Sequence, residues 1–353
     1  MKILIIQKKM IGDVLTSSVI AECLKANSNQ VEIHYLIDDN TVAVVQNNPF
    51  IDRFVLMTPR LTKNKWRLFK FIKSVRAERY DVIIDVYSKI STNLISYFSG
   101  AKQTISQYKW YSSFIYTNTF KNVHHEKTRS GLAIENRLQL LKPLNAFPDK
   151  PVKPKIYLTE NEKNAAIKML TEHSIDLSIP LIMISVLGSS EEKTFPLSQM
   201  AKLLDYLAKH SKLNILFNYI PNQKKQALDI YNFCLPETRD CIYIDVYGKS
   251  LREFLAITSQ CKALIGNEGG ATNMAKALDI PTFTIFSPWI SPEDWAVFED
   301  GNKHVSVHLR SYLPAVYQNL TSYKKLRKQT ADLYGQFKFD FFKTQLHDFL
   351  NRI

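Results

Sequence analysis

Short apolar runs alternate with amphipathic segments from the first residue of the chain onward. Continuous apolar runs have the length and character of buried strands, and they occur at 3–6, 31–37, 54–57 and 82–86. Between them, apolar residues at helical spacing predict helices at 13–26, 64–77, 90–98 and 134–142. Because strand and helix alternate regularly, the pattern predicts a parallel α/β sheet.

A proline-rich stretch at 142–154 interrupts this alternation. Neither a helix nor a strand continues through its four prolines, so it is predicted to link two domains. The alternation then restarts, with predicted strands at 181–186, 213–217, 242–244, 263–265 and 282–286 and predicted helices at 160–173, 198–209, 223–233, 250–260 and 271–278. The sequence therefore predicts two Rossmann-like domains, residues 1–150 and 151–322.

Residues 323–353 are predicted to form a terminal helix. Basic residues come early in this segment, and an apolar stripe of Phe337, Phe339, Phe341, Phe342, Phe349 and Leu350 follows. We expect the stripe to pack back across the seam between the two domains.

The composition is that of an ordinary globular protein. Its 353 residues are 45% hydrophobic, which is enough for two packed cores. The four cysteines show no CxxC spacing, which supports neither a zinc site nor a disulfide framework and favours a reducing compartment. No apolar run approaches the ~18 residues that span a bilayer, and the amino-terminal run is too short for a signal peptide. We therefore expect a soluble or peripheral protein.

The formal net charge of +13 indicates a polyanionic partner, such as nucleic acid, anionic lipid or a phosphorylated glycan. Much of this charge is interleaved with aromatic residues between 60 and 130, as around Trp66, Phe69, Trp110 and Tyr111. The stretch is either a solvated helix face or a surface for a membrane interface. The sequence contains no recognition helix, zinc finger or RNA-binding aromatic motif, which argues against a nucleic-acid-binding protein.

A glycine-rich turn at 266–271 lies between two apolar runs. A buried strand, a glycine turn, a helix start and a second buried strand follow one another there. This is the layout of a βαβ unit that presents backbone N–H groups to an anion. We therefore expect a phosphorylated ligand at this turn.

Two further loops follow predicted strands and so lie at the edge where open α/β sheets bind ligands. Gly12 and Asp13 follow the first strand, where Asp13 is either a helix cap, the more common role, or a functional carboxylate. The loop at 185–196 supplies hydroxyls, a glycine and Lys193, which suit a diphosphate but also an ordinary loop. The absence of a GxGxxG motif after the first strand and of a Walker lysine motif argues against a dehydrogenase or a P-loop ATPase.

Five short motifs occur in order across both predicted domains. They are Gly12-Asp13-Val14, Asn48-Pro49-Phe50-Ile51-Asp52, Lys193-Thr194-Phe195-Pro196, Gly248-Lys249-Ser250-Leu251 and Gly266-Asn267-Glu268-Gly269-Gly270. Together they resemble glycosyltransferase family 9, the heptosyltransferases of bacterial lipopolysaccharide synthesis. The resemblance implies a GT-B fold, in which two Rossmann-like domains face each other across a cleft. It also implies that the N-terminal domain binds the acceptor and the C-terminal domain a nucleotide-sugar, usually ADP-heptose.

The resemblance further implies an inverting transfer that needs no metal and no cofactor. Asp13 would be the base that takes the proton from the acceptor hydroxyl. Lys193, the second catalytic residue, would act with Ser189 and Ser190 to neutralise the departing diphosphate. The other donor-binding residues implied are Gln223, Lys249, Glu268, Gly269, Gly270, Ala271 and Asn273.

Three positions depart from the family pattern. Glu268 stands where aspartate is common, and the extra methylene moves the carboxylate by about 1 Å, which leaves the donor sugar open. Asn273 replaces a common histidine, and Asn222 or Gln223 falls where an acidic residue binds the ribose, so that an amide or another side chain must bind it. The alternatives are therefore a family member with a different donor sugar and surface glycan, and an inactive sugar-nucleotide-binding protein. The retained Asp13 and Lys193 argue against the inactive protein.

The acceptor side is predicted to involve Gly12, Lys109, His124 and Arg137, although the cations among them also suit an ordinary charged surface. The pair His124-His125 has no metal-ligand spacing with another histidine or cysteine, so no metal site is expected. The resemblance implies a cytoplasmic protein on the inner face of the inner membrane. Its expected partners are a lipid-linked phosphorylated glycan and the anionic membrane surface, and not nucleic acid.

Overall fold

The computed structural model describes residues 1–124, 128, 130–318 and 322–353. The chain separates into two units, Met1–Tyr157 and Leu158–Ile353, and each is built on its own parallel sheet. This confirms the predicted class of two parallel-sheet α/β domains. The boundary falls after Tyr157, a few residues beyond the predicted one, and the chain from 145 to 159 has neither helix nor strand.

Unit 1 alternates strands and helices along its length. Its elements are β1 (Lys2–Ile6), α1 (Ile11–Ser17), α2 (Val19–Asn27), β2 (Glu32–Ile37), β3 (Arg53–Leu56), α3 (Pro59–Lys63), α4 (Lys65–Ala77), β4 (Val82–Asp85), α5 (Ile90–Phe98), β5 (Gln103–Gln107), β6 (Asn118–Phe120) and α6 (Leu132–Leu138). Short 3₁₀ helices lie at Asp39–Val44, Ser113–Ile115 and Gln139–Leu144. The strands pair in parallel in the order β3-β2-β1-β4-β5-β6.

The apolar runs of β1, β2 and β4 correspond to the centre of this sheet, where the strands are buried on both faces. Residues 3–6 of β1 are all buried, because successive side chains point to opposite faces and both faces are covered. The structure corrects the single helix predicted at 13–26, which divides at Ser18 into α1 and α2. It also adds β5 and β6, whose polar residues carry no apolar run.

Unit 2 has a second parallel sheet, of five strands in the order β11-β10-β9-β7-β8. Its elements are α7 (Glu160–Glu172), β7 (Leu181–Ser185), α8 (Leu197–His210), β8 (Asn214–Phe217), α9 (Lys224–Phe233), α10 (Pro236–Arg239), α11 (Leu251–Thr258), β9 (Ala263–Asn267), α12 (Gly270–Ala277), β10 (Thr282–Ile285), α13 (Pro292–Trp295), β11 (His304–Val307), α14 (Pro314–Tyr317), α15 (Tyr323–Lys328), α16 (Thr330–Gln336) and α17 (Lys343–Leu350). Short 3₁₀ helices lie at Glu191–Lys193, Pro221–Gln223, Leu309–Ser311 and Phe339–Phe341. The strand predicted at 242–244 is wrong, because only a single bridge from Ile242 to Ile215 forms there.

The carboxyl-terminal segment consists of several short helices, so the prediction of one terminal helix is wrong. Phe337, Phe342 and Phe349 are fully buried in the core of unit 2. The ring of Phe337 lies 5.4 Å from that of Phe195, and the ring of Phe349 lies 5.6 Å from that of Phe283. Phe337, Phe339 and Phe342 cannot share one helical face, so the chain turns between helices to bury them, while Phe341 remains 38% exposed. Packing across the domain seam stays a prediction.

Candidate functional site

Asp13 lies in the first turn of α1, directly after the carboxyl end of β1. Met10, with a φ of 73°, precedes the helix, and the helix has no side-chain cap. The carboxylate of Asp13 instead binds Arg137, whose Nη2 donates to Oδ1 over 2.7 Å. The N-cap residue of α1 is therefore Met10, and Asp13 lies in the first turn without a capping hydrogen bond.

Arg137 holds this carboxylate in a defined orientation. Its Nε donates to Ser17 Oγ over 2.9 Å, and its Nη1 donates to the carbonyl of Ala133. The Arg137 side chain is only 12% exposed, and burial lowers its pKa while the charge of Asp13 opposes that shift. The Asp13 side chain is 32% exposed, and no described residue donates to its Oδ2. One carboxylate oxygen is thus anchored while the other is open to a ligand.

The remaining predicted acceptor residues are spread over unit 1. Gly12 precedes Asp13 in α1, and its carbonyl accepts a hydrogen bond from Thr16. Lys109 follows β5, where its Nζ donates to the carbonyl of Ser88 over 2.6 Å and burial lowers its pKa. His124 is exposed, and the adjoining His125 lies outside the described residues. The structure therefore joins Arg137 to Asp13, and it places Lys109 after β5, at the same carboxyl edge of the sheet and two strands away from β1.

In unit 2, the loop after β7 folds back tightly on itself. A Cβ on Gly188 would lie 2.2 Å from the carbonyl oxygen of Lys193, so only glycine fits there. Asn267, at the end of β9, accepts a hydrogen bond from the backbone N–H of Phe195 and donates another to the carbonyl of Ser185. These bonds fix the loop that carries Ser189, Ser190 and Lys193 against the carboxyl edge of the sheet.

Lys193 and Glu268 meet at this edge. Lys193 Nζ lies 3.3 Å from Glu268 Oε1, an ion pair without the geometry of a hydrogen bond. Burial raises the pKa of Glu268, and the Lys193 ammonium opposes that shift. Because the Lys193 side chain is partly exposed, its charge remains available to an anion at the loop.

The glycine turn after β9 leads into α12 with its backbone exposed. Gly269 has a φ of 151°, and the position where its Cβ would stand is open space. Gly270 begins α12, and Ala271 and Asn273 are partly exposed in its first turn. The amino terminus of the helix thus presents N–H groups beside the Lys193–Glu268 pair, which suits an anionic ligand.

Gln223 and Lys249 occupy different places. Gln223 Nε2 donates to the carbonyl of Gly188 over 2.8 Å, and its Oε1 accepts from the N–H of Ile220, so this amide supports the loop that carries Lys193. Lys249 lies at the amino end of α11 and lines a cavity of about 390 Å³ between α7 and α11. The structure thus brings Gln223, Lys193, Glu268 and the glycine turn together. Lys249 lies at the cavity between α7 and α11.

Two side chains beside Lys193 could not be inferred from the sequence. The ring centroid of Trp289 lies 5.7 Å from Lys193 Nζ and 5.3 Å from the guanidinium carbon of Arg327. Arg327 also forms an ion pair with Glu192 at 2.8 Å. The sequence shows an aromatic residue shortly after β10, but it does not show that Arg327, far away in the carboxyl-terminal segment, packs on this ring.

The described residues form neither a metal-ligand cluster nor a helix that could span a membrane. Within the part of the chain that the structure describes, no group of three or more His, Cys, Asp or Glu side chains comes together as a metal site would require. Among the helices of the described ranges, none is both long enough and apolar enough to cross a bilayer.

The chain is similar to known glycosyltransferases in sequence and in fold. The model of "Glycosyltransferase family 9 (heptosyltransferase)" matches residues 68–324, more than half of the chain. Lipopolysaccharide heptosyltransferase 1 of Campylobacter coli is 24% identical over 311 residues, which cover 81% of this chain and 84% of that protein. The family 9 glycosyl transferase of Veillonella parvula aligns with a TM-score of 0.74 at 16% identity, covering 95% and 97% of the two chains. The Escherichia coli ADP-heptose LPS heptosyltransferase II aligns with a TM-score of 0.71 at 16% identity, covering 95% and 99%.

Proposed function

The chain belongs to glycosyltransferase family 9, and on this basis we propose that it transfers a heptose from ADP-heptose to the inner core of a lipopolysaccharide precursor. The observation that carries the proposal is the Asp13 carboxylate, with one oxygen held by buried Arg137 and the other unbonded among the described residues. The similar protein of Campylobacter coli is a lipopolysaccharide heptosyltransferase, which supports the choice of acceptor. The Escherichia coli protein of similar fold is an ADP-heptose LPS heptosyltransferase, which supports ADP-heptose as the donor.

The proposed reaction begins with Asp13 as general base. Its free Oδ2 takes the proton from the acceptor hydroxyl while that oxygen attacks the anomeric carbon of the donor sugar. The bond from the anomeric carbon to the diphosphate breaks on the opposite side, so the configuration inverts. Arg137 is a positioning residue in this step, because it fixes the direction of the Asp13 carboxylate.

The diphosphate leaves with negative charge that unit 2 is suited to neutralise. Lys193 supplies a cation, and Ser189 and Ser190 supply hydroxyl groups from the same exposed loop. The amino terminus of α12, at Gly270 and Ala271, adds backbone N–H groups. Together these groups would perform the role that a divalent metal performs in other transferases, so we propose a metal-independent reaction.

Glu268 bears on the choice of donor sugar. We propose that its carboxylate contacts the donor sugar, beside the diphosphate held by Lys193. Because glutamate is longer than the aspartate common at this position, a different nucleotide-activated sugar is the second candidate donor. The Gln223 amide already bonds to Gly188 and Ile220, so we propose that a different side chain contacts the ribose.

A thermal-shift panel tests the donor. The chain would be mixed with ADP-heptose, ADP and the UDP, GDP and CDP sugars, because a ligand that binds only the folded state raises the melting temperature. We expect ADP-heptose and ADP to stabilise the chain and the other nucleotides to leave it unchanged. Stabilisation by a UDP, GDP or CDP sugar alone would replace ADP-heptose with that donor.

We also propose that the protein works on the cytoplasmic face of the inner membrane. The net charge of +13 suits an anionic surface, and a lipid-linked phosphorylated glycan would be presented there. Lys109 and His124 are proposed to contact the acceptor, since both lie in unit 1 with Asp13. Binding of the chain to anionic vesicles at low salt, with release at high salt, tests this attachment.

A further inference from the structure

Helix α5 buries mainly polar side chains, with Ile95 as its one fully buried apolar residue, and turns its other apolar side chains outward. Its outer face carries Ile90, which is 77% exposed, and Tyr97, which is 60% exposed, with Leu94 and Phe98 also exposed. Ile90, Leu94 and Tyr97 follow one another at helical spacing and so form one stripe along the helix. An ordinary surface helix of a globular protein shows the opposite pattern.

Three of the four buried residues of α5 are polar, and they lie beside a buried carboxyl group. Asp85, at the end of β4, is fully buried and accepts hydrogen bonds from the N–H of Ser88 over 2.7 Å and from the hydroxyl of Tyr116 over 2.8 Å. Asn93 of α5 lies 2.8 Å from the same Tyr116 hydroxyl, and Ser96 reaches Asp85 Oδ2 at 3.4 Å. Buried polar groups need such partners, which accounts for the inner residues. It does not account for the exposed apolar residues outside.

Exposed apolar side chains also occur on the segments that pack against α5. Helix α4 packs beside α5 and carries exposed Trp66 and Phe69, and the 3₁₀ helix Ser113–Ile115 packs against α5 with exposed Phe114. Trp110, in the same loop, is also exposed. We call this set of side chains the aromatic face: Trp66, Phe69, Ile90, Leu94, Tyr97, Phe98, Trp110 and Phe114. Clustered exposed apolar side chains of this kind commonly mark a surface that binds a protein or a membrane.

The charge of the segments that carry the aromatic face indicates the chemistry of that partner. Residues 60–121 contain twelve lysines and arginines and three acidic residues. Each of the three acids is engaged away from this face: Glu78 pairs with Lys2 and Arg53, Asp81 accepts from the N–H of Lys2, and Asp85 is buried. The Nζ of Lys73 lies 4.7 Å from the Phe69 ring centroid. Exposed aromatic and aliphatic groups among unopposed cations match an anionic bilayer surface.

We propose that the outer face of α5 inserts into the interface of an anionic bilayer and thereby holds the protein on the membrane. The inference rests on the proposed function and names the element that makes the membrane contact. Insertion would bury Ile90, Leu94 and Tyr97 among the lipid headgroups and upper acyl chains, while the surrounding lysines and arginines bind lipid phosphates.

The test compares two double variants of the full chain. Ile90→Ser with Tyr97→Ser removes the outer stripe of α5. The matched control, Phe233→Ser with Leu235→Ser, removes side chains of unit 2 that are 59% and 50% exposed. Sedimentation is measured with vesicles of phosphatidylcholine alone and with vesicles that also contain phosphatidylglycerol. We expect wild type and control to bind the anionic vesicles and the α5 variant to bind at least about tenfold more weakly.

Three outcomes would overturn the proposal. They are equal binding of the α5 variant and wild type, no binding of wild type to anionic vesicles, and a wild-type dimer that the α5 substitutions convert to monomer, which would assign the face to a second copy. Trp110→Ser leaves the helix untouched and should also weaken binding. Melting temperatures confirm that each variant is folded.

Transfer to a detergent-dispersed acceptor is measured in the same preparations. The α5 variant should keep wild-type transfer in this assay, because the acceptor then needs no bilayer. A wild-type chain that binds vesicles but transfers no sugar would contradict the proposed function and leave the membrane contact intact.

Discussion

Replacing Asp13 with asparagine separates the proposed role of Asp13 as a base from its structural contact with Arg137. The asparagine oxygen can still accept from Arg137, but the side chain has no charge and cannot take a proton. Loss of a general base lowers the rate by about 10²–10⁴-fold, which corresponds to about 3–5 kcal/mol of activation free energy. Binding of ADP should stay unchanged, because the proposed donor residues all belong to unit 2.

The stability of Asp13→Asn follows from the burial of the ion pair. Breaking a fully buried pair costs about 3–5 kcal/mol, whereas an exposed pair contributes about 0–1 kcal/mol. Arg137 is buried but Asp13 is 32% exposed, so we expect a loss of about 1–2 kcal/mol. For a domain of this size the melting temperature would fall by about 2–8 °C, and the protein would remain folded at the assay temperature.

Asp52→Asn is the matched control in unit 1. Asp52 is 39% exposed and pairs with Lys25 at 2.8 Å. Its Oδ2 also accepts from the N–H of Ile33 at the start of β2, so it lies at the opposite edge of the sheet from Asp13. We expect a similar fall in melting temperature with an unchanged transfer rate. Near-wild-type turnover of Asp13→Asn, or an equal rate loss in both variants, would refute the assignment of Asp13.

Three further predictions concern donor binding, metal and pH. Lys193→Ala should weaken ADP binding about 10–100-fold, as expected for the loss of a charge-assisted contact. Lys202→Ala, on the exposed side of α8, is the control and should leave ADP binding unchanged. Equal affinity of the two variants for ADP would remove Lys193 from the phosphate site. EDTA should leave the transfer rate unchanged, and a strict requirement for added magnesium or manganese would overturn the metal-free reaction. The Arg252 guanidinium lowers the pKa of Glu162 from 4.5 to about 2, so this group contributes stability above about pH 4.5 that is lost as the pH falls towards 2. Glu162→Gln should therefore melt below wild type at pH 7, with the gap closing over that window, and a gap independent of pH would contradict the ion pair.

The parallel sheets could be predicted because buried strands leave continuous apolar runs in the sequence. Strands β1, β2, β7 and β10 coincide with such runs. Strands β5, β6 and β11 contain polar residues, so the apolar pattern does not predict them. The tight turns at the glycine motifs could also be predicted, because glycine is required where two backbone segments approach too closely for a side chain. A Cβ on Gly266, for example, would lie 2.4 Å from the carbonyl oxygen of Ser185.

The partners of the candidate residues could not be predicted, because they come from distant parts of the chain. Arg137 was predicted to contact the acceptor from its charge alone, yet it reaches across 124 positions to hold Asp13. The contact of Arg327 with Trp289 likewise depends on the turns that fold the carboxyl-terminal helices into unit 2. The inverted orientation of α5 could not be predicted either, because the same periodic pattern fits a helix with either face buried.

The proposed reaction is tested most directly by the product that the purified chain forms from ADP-heptose and a lipid-linked inner-core acceptor in the presence of EDTA. Mass spectrometry would follow the acceptor, and NMR would report the anomeric configuration of the new linkage. We predict one heptose added, one ADP released for each transfer, and inversion at the anomeric carbon. An acceptor that stays unmodified with ADP-heptose but gains a sugar from another nucleotide donor would contradict the proposed donor, and retention of configuration would contradict the role of Asp13 as a base.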